Sequence, residues 1–171
     1  MKKKVVLAFS GGLDTSYCAI YLSKELELEV HAVIVNTGGF TLDELSEIEN
    51  KAKQLGVTSF HAIDETKNYY DSVIKYLIFG NVLKNNTYPL SVSAERVSQA
   101  TTIANYAKNI NADFVAHGST GAGNDQVRFD AIFNILIPEI KVITPIRDNK
   151  LSREEEIAYL MELVRFMLTN E

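Results

Sequence analysis

Apolar residues along this chain gather in two kinds of run. Val5 to Phe9 and Glu29 to Asn36 (EVHAVIVN) are nearly unbroken and rich in branched residues. Such runs fit strands buried on both faces, as in a parallel sheet. Val57 to Ile63 is more polar and reads as a strand nearer an edge, while Ala112 to Ala116 and Lys141 to Thr144 read as further strands. Between them the apolar positions take helical spacing. Helices are expected over Thr15 to Lys24, with Tyr17, Ile20 and Tyr21 inward, and over Leu42 to Leu55, opened by the capping-box pattern Thr41-Leu-Asp-Glu. Asp64 to Phe79 reads as helix with Tyr70, Val73, Ile74 and Leu77 on one face. Others run from Ser91 or Ser93 to about Asn109, over Val127 to Leu136, and from Ser152 onward. Gly80 to Pro89 reads as a polar, Asn-rich connection. Strands alternating with helices in this way predict an α/β fold, doubly wound, with a mainly five-stranded parallel sheet and helices on both faces.

In sheets of this kind ligands bind beyond the carboxyl ends of the strands. Three loops fall there: Ser10 to Ser16, Thr37 to Gly39 and His117 to Asp125. The first follows a buried strand and opens a helix. Its glycines permit a tight turn and close backbone approach, and Ser10, Thr15 and Ser16 add hydroxyls. The unpaired amides and positive dipole end of the following helix complete an anion cradle suited to phosphate. A plain strand-to-helix turn capped by Asp14 or Ser10 is the simpler alternative. No Lys follows the glycines as in the Walker pattern, and the adjacent Gly11 and Gly12 do not spell G-x-G-x-x-G.

Composition narrows the picture further. The 171 residues suffice for one domain with a real core, and 46% hydrophobic against 23% charged residues is globular. A net charge of −5 argues against a general nucleic-acid surface. No apolar run approaches the ~20 residues of a membrane span, and no secretory signal is visible. The lone Cys18 excludes an internal disulfide, agrees with a cytoplasmic setting, and sits in an apolar segment that favours packing over nucleophilic chemistry. His31, His61 and His117 form no metal-ligand spacing.

The loop SGGLDTS (Ser10 to Ser16) resembles the pyrophosphate loop of ATP pyrophosphatases, which split ATP into AMP and pyrophosphate. The segment Phe114 to Asp130, FVAHGSTGAGNDQVRFD, is more specific, with three glycines, a polar helix start and Arg128 about one turn on. Taken with Tyr88 to Arg96 (YPLSVSAER) and Ile143 to Asp148 (ITPIRD), these segments resemble argininosuccinate synthase, in the same order over roughly the first 155 residues. The resemblance implies an adenine nucleotide α-hydrolase-like fold, with ATP, citrulline and aspartate as substrates and Mg²⁺ as counter-charge. ATP contacts then fall on Ala8, Phe9, Ser10, Gly11, Gly12, Leu13, Asp14, Thr15 and Ser16, with Val35 and Gly118. Citrulline contacts fall on Tyr88, Ser93, Asn124 and Arg128, and aspartate contacts on Thr120, Asn124 and Asp125. No resident metal site and no single catalytic residue is implied, since the reaction asks for positioning and charge neutralisation rather than a nucleophile.

Three departures from the family stand out. Ala122 replaces the usual Lys of the TGKGND string, and Val97 replaces the usual Pro after Ala-x-Arg. The family's chains continue into a second domain with further citrulline contacts. Against that pattern the expected division is a nucleotide-binding domain over 1–150 and a C-terminal helix over 151–171. The apolar tail Met161, Leu163, Val164, Phe166, Met167 and Leu168 suggests packing against the domain or a homo-oligomer contact. Two functions therefore stand side by side: a ligase of citrulline and aspartate, and an ATP-binding module that does not complete the ligation. Another ATP pyrophosphatase, such as an amidotransferase partner or a tRNA-thiolating enzyme, is a third reading, which the second loop and the acidic balance oppose.

Overall fold

A computed structural model describes residues 2–169, apart from the side chains of Lys84, Tyr88, Pro89 and 163–169. Its centre is a parallel sheet of five strands: β1 (Lys4–Ala8), β2 (Glu29–Asn36), β3 (Ser59–Asp64), β6 (Phe114–His117) and β7 (Lys141–Ile143). They lie in the order β3-β2-β1-β6-β7, every pair parallel. The sheet order reverses direction at β1, the point where such folds open a crevice.

Side-chain alternation along the strands explains why helices cover both faces. Val5 and Leu7 of β1, with Val30 and Ala32 of β2, pack in one cluster with Tyr17, Cys18 and Leu22. Val6, Val33 and Val35 point the other way, into a cluster with Ile103, Phe129, Phe133 and Ile137. Period-two alternation sends successive residues to opposite layers, and both layers are apolar, so the strands read as unbroken runs. The first layer contains α1 (Leu13–Ile20), α2 (Leu42–Gln54) and α8 (Arg153–Thr169); the second contains α5 (Ser91–Asn109) and α6 (Asp125–Leu136).

Local signals place most boundaries. The capping box of α2 forms as expected, the Thr41 hydroxyl accepting from the Glu44 amide while the Glu44 carboxylate accepts from the Thr41 amide at 2.8 Å. Ser152 and Glu155 repeat the arrangement at the start of α8. Other segments differ from expectation. The first helix begins at Leu13 and widens into a π-helical turn over Tyr21–Glu25. The expected helix over 64–79 comprises α3 (Thr66–Tyr69), a π-helical turn over Tyr70–Ile74, and α4 (Lys75–Phe79). That extra residue per turn rotates the inward face. Tyr69 is buried and donates to the Ser91 carbonyl at 2.6 Å, whereas Tyr70 is exposed. The Asn-rich connection holds a short hairpin, β4 (Leu83–Lys84) with β5 (Tyr88–Pro89). Asn85 and Asn86 both take positive φ there, which asparagine tolerates better than most residues. Pro145–Asp148 forms one short helix, α7, that the sequence pattern did not suggest.

Cys18 is fully buried, and burial first, then the nearby Glu156 and Asp14, raises its thiol far above the ordinary range. That agrees with packing rather than chemistry. Of the apolar tail, Met161 is exposed; the side chains of Leu163, Val164, Phe166, Met167 and Leu168 lie outside the described residues. Among the described residues no helix is long and apolar enough to cross a membrane.

Candidate functional site

The strand ends beside the reversal at β1 frame a cavity of about 610 Å³. One side is the first loop. Gly11 has φ +75°, a conformation glycine adopts without strain, and it lets the chain turn sharply beneath α1. The loop is held from within. The Ser16 hydroxyl donates to the Gly12 carbonyl at 2.7 Å, and the Ser10 and Thr15 hydroxyls lie 3.3 Å apart. Gly12 caps α1, with no side chain bonding to the helix's first amides. Neither Asp14 nor Ser10 caps it; the Ser10 hydroxyl instead accepts from the Gly12 amide at 3.4 Å. Among the described residues no side chain covers those amides at the dipole end of α1, a setting that stabilises anions.

Opposite lies the second loop, which starts at His117. This histidine is 2% exposed, and burial lowers its basicity despite a neighbouring carboxylate. Its Nδ1 accepts from the Ser119 amide at 3.2 Å, which makes Nε2 the protonated nitrogen; Nε2 lies 3.0 Å from Asp130 Oδ1. Asp130 Oδ2 in turn accepts from Arg147, at 2.6 Å. Burial raises the Asp130 pKa, but the hydrogen bonds and charges of Arg147 and His117 outweigh it, and the net shift is downward. Arg147 also donates to Gln126 in the first turn of α6. A chain of side chains thus ties the loop to α6 and α7.

The two loops touch at Gly118. A Cβ added there would sit 3.3 Å from the backbone carbonyl carbon of Asp14 and from Thr15 Cγ2. Only a bare backbone fits this approach comfortably.

The third wall is the start of α5. Glu95 accepts from Thr37 at 2.7 Å, which joins α5 to the loop after β2. Arg96 donates to Asp125 at 3.2 Å and to Gln99 at 2.9 Å. The remaining wall is apolar, with Val33, Val35, Phe40, Ile103 and Phe129.

Of the residues expected to touch ATP, Ala8, Phe9, Ser10, Gly12, Leu13, Asp14, Thr15, Val35 and Gly118 line this cavity. Gly11 and Ser16 do not; they shape the turn from beneath. Of the aspartate set, Thr120 and Asp125 line it and Asn124 sits beside it as the N-cap of α6. The citrulline set is more dispersed. Arg128 donates to Asp125 at 2.8 Å and to Ser93 at 3.0 Å, outside the cavity wall. Tyr88 lies in β5, and its side chain lies outside the described residues. Reading the sequence gave no role to Glu95, Arg96, Gln99 or His117, all of which line the cavity. Arg96 stood within a quoted segment, but its partner is 29 residues away.

Among the described residues no cluster of three or more metal-ligating side chains occurs. The cavity is nevertheless acidic, with Asp14, Glu95 and Asp125 against the guanidinium of Arg96.

Comparison with known proteins points in one direction. Residues 4–163 match the family model described as arginosuccinate synthase N-terminal HUP domain. An argininosuccinate synthase of Dictyoglomus thermophilum is 41% identical over 162 residues, covering 94% of this chain and 40% of the relative. One of Methanococcus maripaludis is 42% identical over 163 residues, covering 95% of this chain and 41% of the relative. The chain thus spans about 40% of the length of these curated relatives. A crystal structure from Methanocaldococcus jannaschii, described as a predicted subunit of a tRNA methyltransferase, superposes with a TM-score of 0.60 at 18% identity. It covers 92% of this chain and 73% of its own, and supports the fold alone.

Proposed function

The chain belongs to the argininosuccinate synthase family, matching its N-terminal HUP domain, and from that premise we propose that it binds ATP and activates citrulline for condensation with aspartate. The observation that carries this reading is the meeting of two glycine-dependent loops over one cavity, with Gly118 seated against Asp14 and Thr15. An apolar wall with Val35 and Phe129 suits a nucleobase, and the uncapped start of α1 suits the polyphosphate.

In the proposed reaction the citrulline ureido oxygen attacks the α-phosphorus in line, and pyrophosphate leaves. The amine of aspartate then displaces AMP, giving argininosuccinate. The first loop would retain the departing pyrophosphate through its amides and the Ser10 and Thr15 hydroxyls. Thr120 and Asp125 would orient aspartate, while Arg128 and Ser93 would receive citrulline. Aligning three reactants is the main contribution asked of such a site. Mg²⁺ accompanying ATP would neutralise phosphate charge, and Asp14, the carboxylate on the first loop, would be the protein group to hold it, since Mg²⁺ typically takes one or two carboxylates plus phosphate oxygens.

A second reading is favoured by the 40% coverage of the relatives. The chain would bind ATP without completing the ligation, the remaining contacts lying in the part of the relatives it does not match. Pyrophosphate release from Mg-ATP, with and without citrulline and then with aspartate, separates the two. Citrulline-dependent release is expected if the first half-reaction resides here. ATP binding without release would favour the second reading, and no ATP binding would refute both.

A further inference from the structure

His31 and His61 stand far apart in the sequence and form no ligand spacing there. The fold brings them together. The parallel register of β2 and β3 sets His31 against Ser59, and the period of two puts His61 on the same face. The Ser59 hydroxyl lies 2.7 Å from His31 Nδ1 and 3.2 Å from His61 Nε2. Two imidazole nitrogens from neighbouring strands thus converge on one oxygen. Tyr106 of α5 closes the cluster, its ring 5.0 Å from that of His61. Burial raises the Tyr106 phenol pKa, while its contact with Ser59 pulls the other way. None of these four residues lines the cavity described above. β3 is an edge strand and His61 is exposed, so the cluster opens to solvent.

We propose that His31 Nδ1 and His61 Nε2 bind a divalent transition-metal ion of the Zn²⁺ or Cu²⁺ class, which staples the edge strand β3 to β2. The proton accounting supports it. His31 Nε2 is buried, makes no well-aligned hydrogen bond among the described residues, and faces Glu29 Oε1 at 3.2 Å. That carboxylate favours a proton on Nε2 and so leaves the lone pair on Nδ1, aimed at Ser59. A carboxylate behind an imidazole is the usual partner of a metal-bound histidine, fixing its tautomer and its ring. Burial lowers the His31 pKa against the opposing pull of Glu29, which keeps the ring neutral, the form that ligates. The Ser59 hydroxyl donates to His31 and must then accept from His61 Nε2–H. An ion takes over both nitrogens once the exposed His61 ring shifts its proton to Nδ1. Zn²⁺ holds imidazole nitrogen at about 2.0–2.1 Å, so the rings close on a point beside the serine oxygen. With two imidazoles only, the remaining positions fall to oxygens, from water and from the hydroxyls of Ser59 and Tyr106. That nitrogen and oxygen set suits Zn²⁺ and Cu²⁺ better than Mg²⁺ or Ca²⁺.

The test uses the whole chain with no nucleotide or amino-acid substrate present, so its outcome is read apart from the proposed function. Calorimetry with Zn²⁺ alone is expected to show one saturable site. His61→Gln and His31→Gln should each weaken it at least about tenfold, since each removes one bonded nitrogen. Glu29→Gln, which touches only the far side of His31, should weaken it by about tenfold as well. Zn²⁺ should raise the melting temperature of the wild type and leave that of His61→Gln unmoved, because only a folded site gains from the ion. Cu²⁺ serves as the spectroscopic probe: its paramagnetic resonance should show coupling to two imidazole nitrogens in the wild type and to one in His61→Gln. His61 is exposed, so its variant tests the site even if His31→Gln melts early without metal. No saturable binding with Zn²⁺ up to about 1 mM would overturn the proposal. Unchanged binding in His61→Gln would overturn it too, as would an equal loss in His117→Gln, which would put the ion elsewhere.

Discussion

The two loops that face each other across the cavity are held in opposite ways. Ser10 to Ser16 is shaped mostly from within: a left-handed glycine, hydroxyl bonds inside the turn and the start of α1, with one outside contact, Lys51 donating to the Gly11 carbonyl. The loop after β6 is shaped by side chains at a distance, through His117, Asp130, Arg147 and Gln126. A loop of the first kind keeps its form across the pH range in which histidine titrates. One of the second kind depends on protonation and on residues far along the chain. The first loop is therefore the constant part of the site, and the second loop is the adjustable part.

The sharpest way to break this contrast is to force the loops apart. Gly118→Val would push a side chain into Asp14 and Thr15, and ATP affinity should fall about a hundredfold, as for an ångström-scale misplacement of a binding group. Calorimetry would show it, and near-wild-type affinity would mean the loops do not work as one site. Next, Asp130→Asn removes the carboxylate shared by His117 and Arg147. A loss of about 1–3 kcal/mol in urea unfolding is expected, the penalty for leaving buried polar groups poorly paired. A change below about 0.5 kcal/mol would place it among ordinary surface substitutions and remove the basis for calling that loop side-chain-held.

A pH titration of stability sharpens the contrast with a smaller signal. Burial lowers the His117 pKa from 6.5, so the unfolded chain takes up this proton first as pH falls. Stability from this group is fully present above about pH 6.5, declines below it, and levels off once the folded histidine also charges. Burial also lowers the pKa of His31, which titrates in the same direction, so the useful quantity is the difference between wild type and His117→Gln. The variant should lose less stability between about pH 7 and 5. Parallel curves would show that His117 carries no such linkage. The smallest effect belongs to Ala122→Lys, which restores the charge that the family resemblance leads one to expect at an exposed lining position. ATP binding should tighten by about two- to fivefold, and less in high salt.

What the sequence made legible follows the same division. The β2 limits and the capping box at Thr41 were readable because branched runs and cap residues act over a few positions. The glycine turn at Ser10 to Ser16 was readable for the same reason. The π-helical turns were not, since the residues of Tyr70–Ile74 carry an ordinary helical pattern and one extra residue per turn leaves no local mark. Nor was the hairpin after Val82, where asparagines that tolerate positive φ look like any polar loop. The side-chain network was hidden for a different reason. Glu95 meets Thr37 across 58 residues of chain, and His117 meets Asp130 only because a helix returns over the strand. Such pairs exist only once the fold does.

The placement of β1 bears on how the protein comes into being. Of these five strands the first made is the middle one. One of its edges pairs with β2 soon after, but the other waits for β6; the amide of Lys4 bonds Asp113 across 109 residues. During synthesis a half-sheet with one glycine loop would emerge from the ribosome with an apolar strand edge unpaired, an invitation to aggregate. Folding dominated by so distant a pairing is expected to be slow, and the cavity would be among the last features to appear.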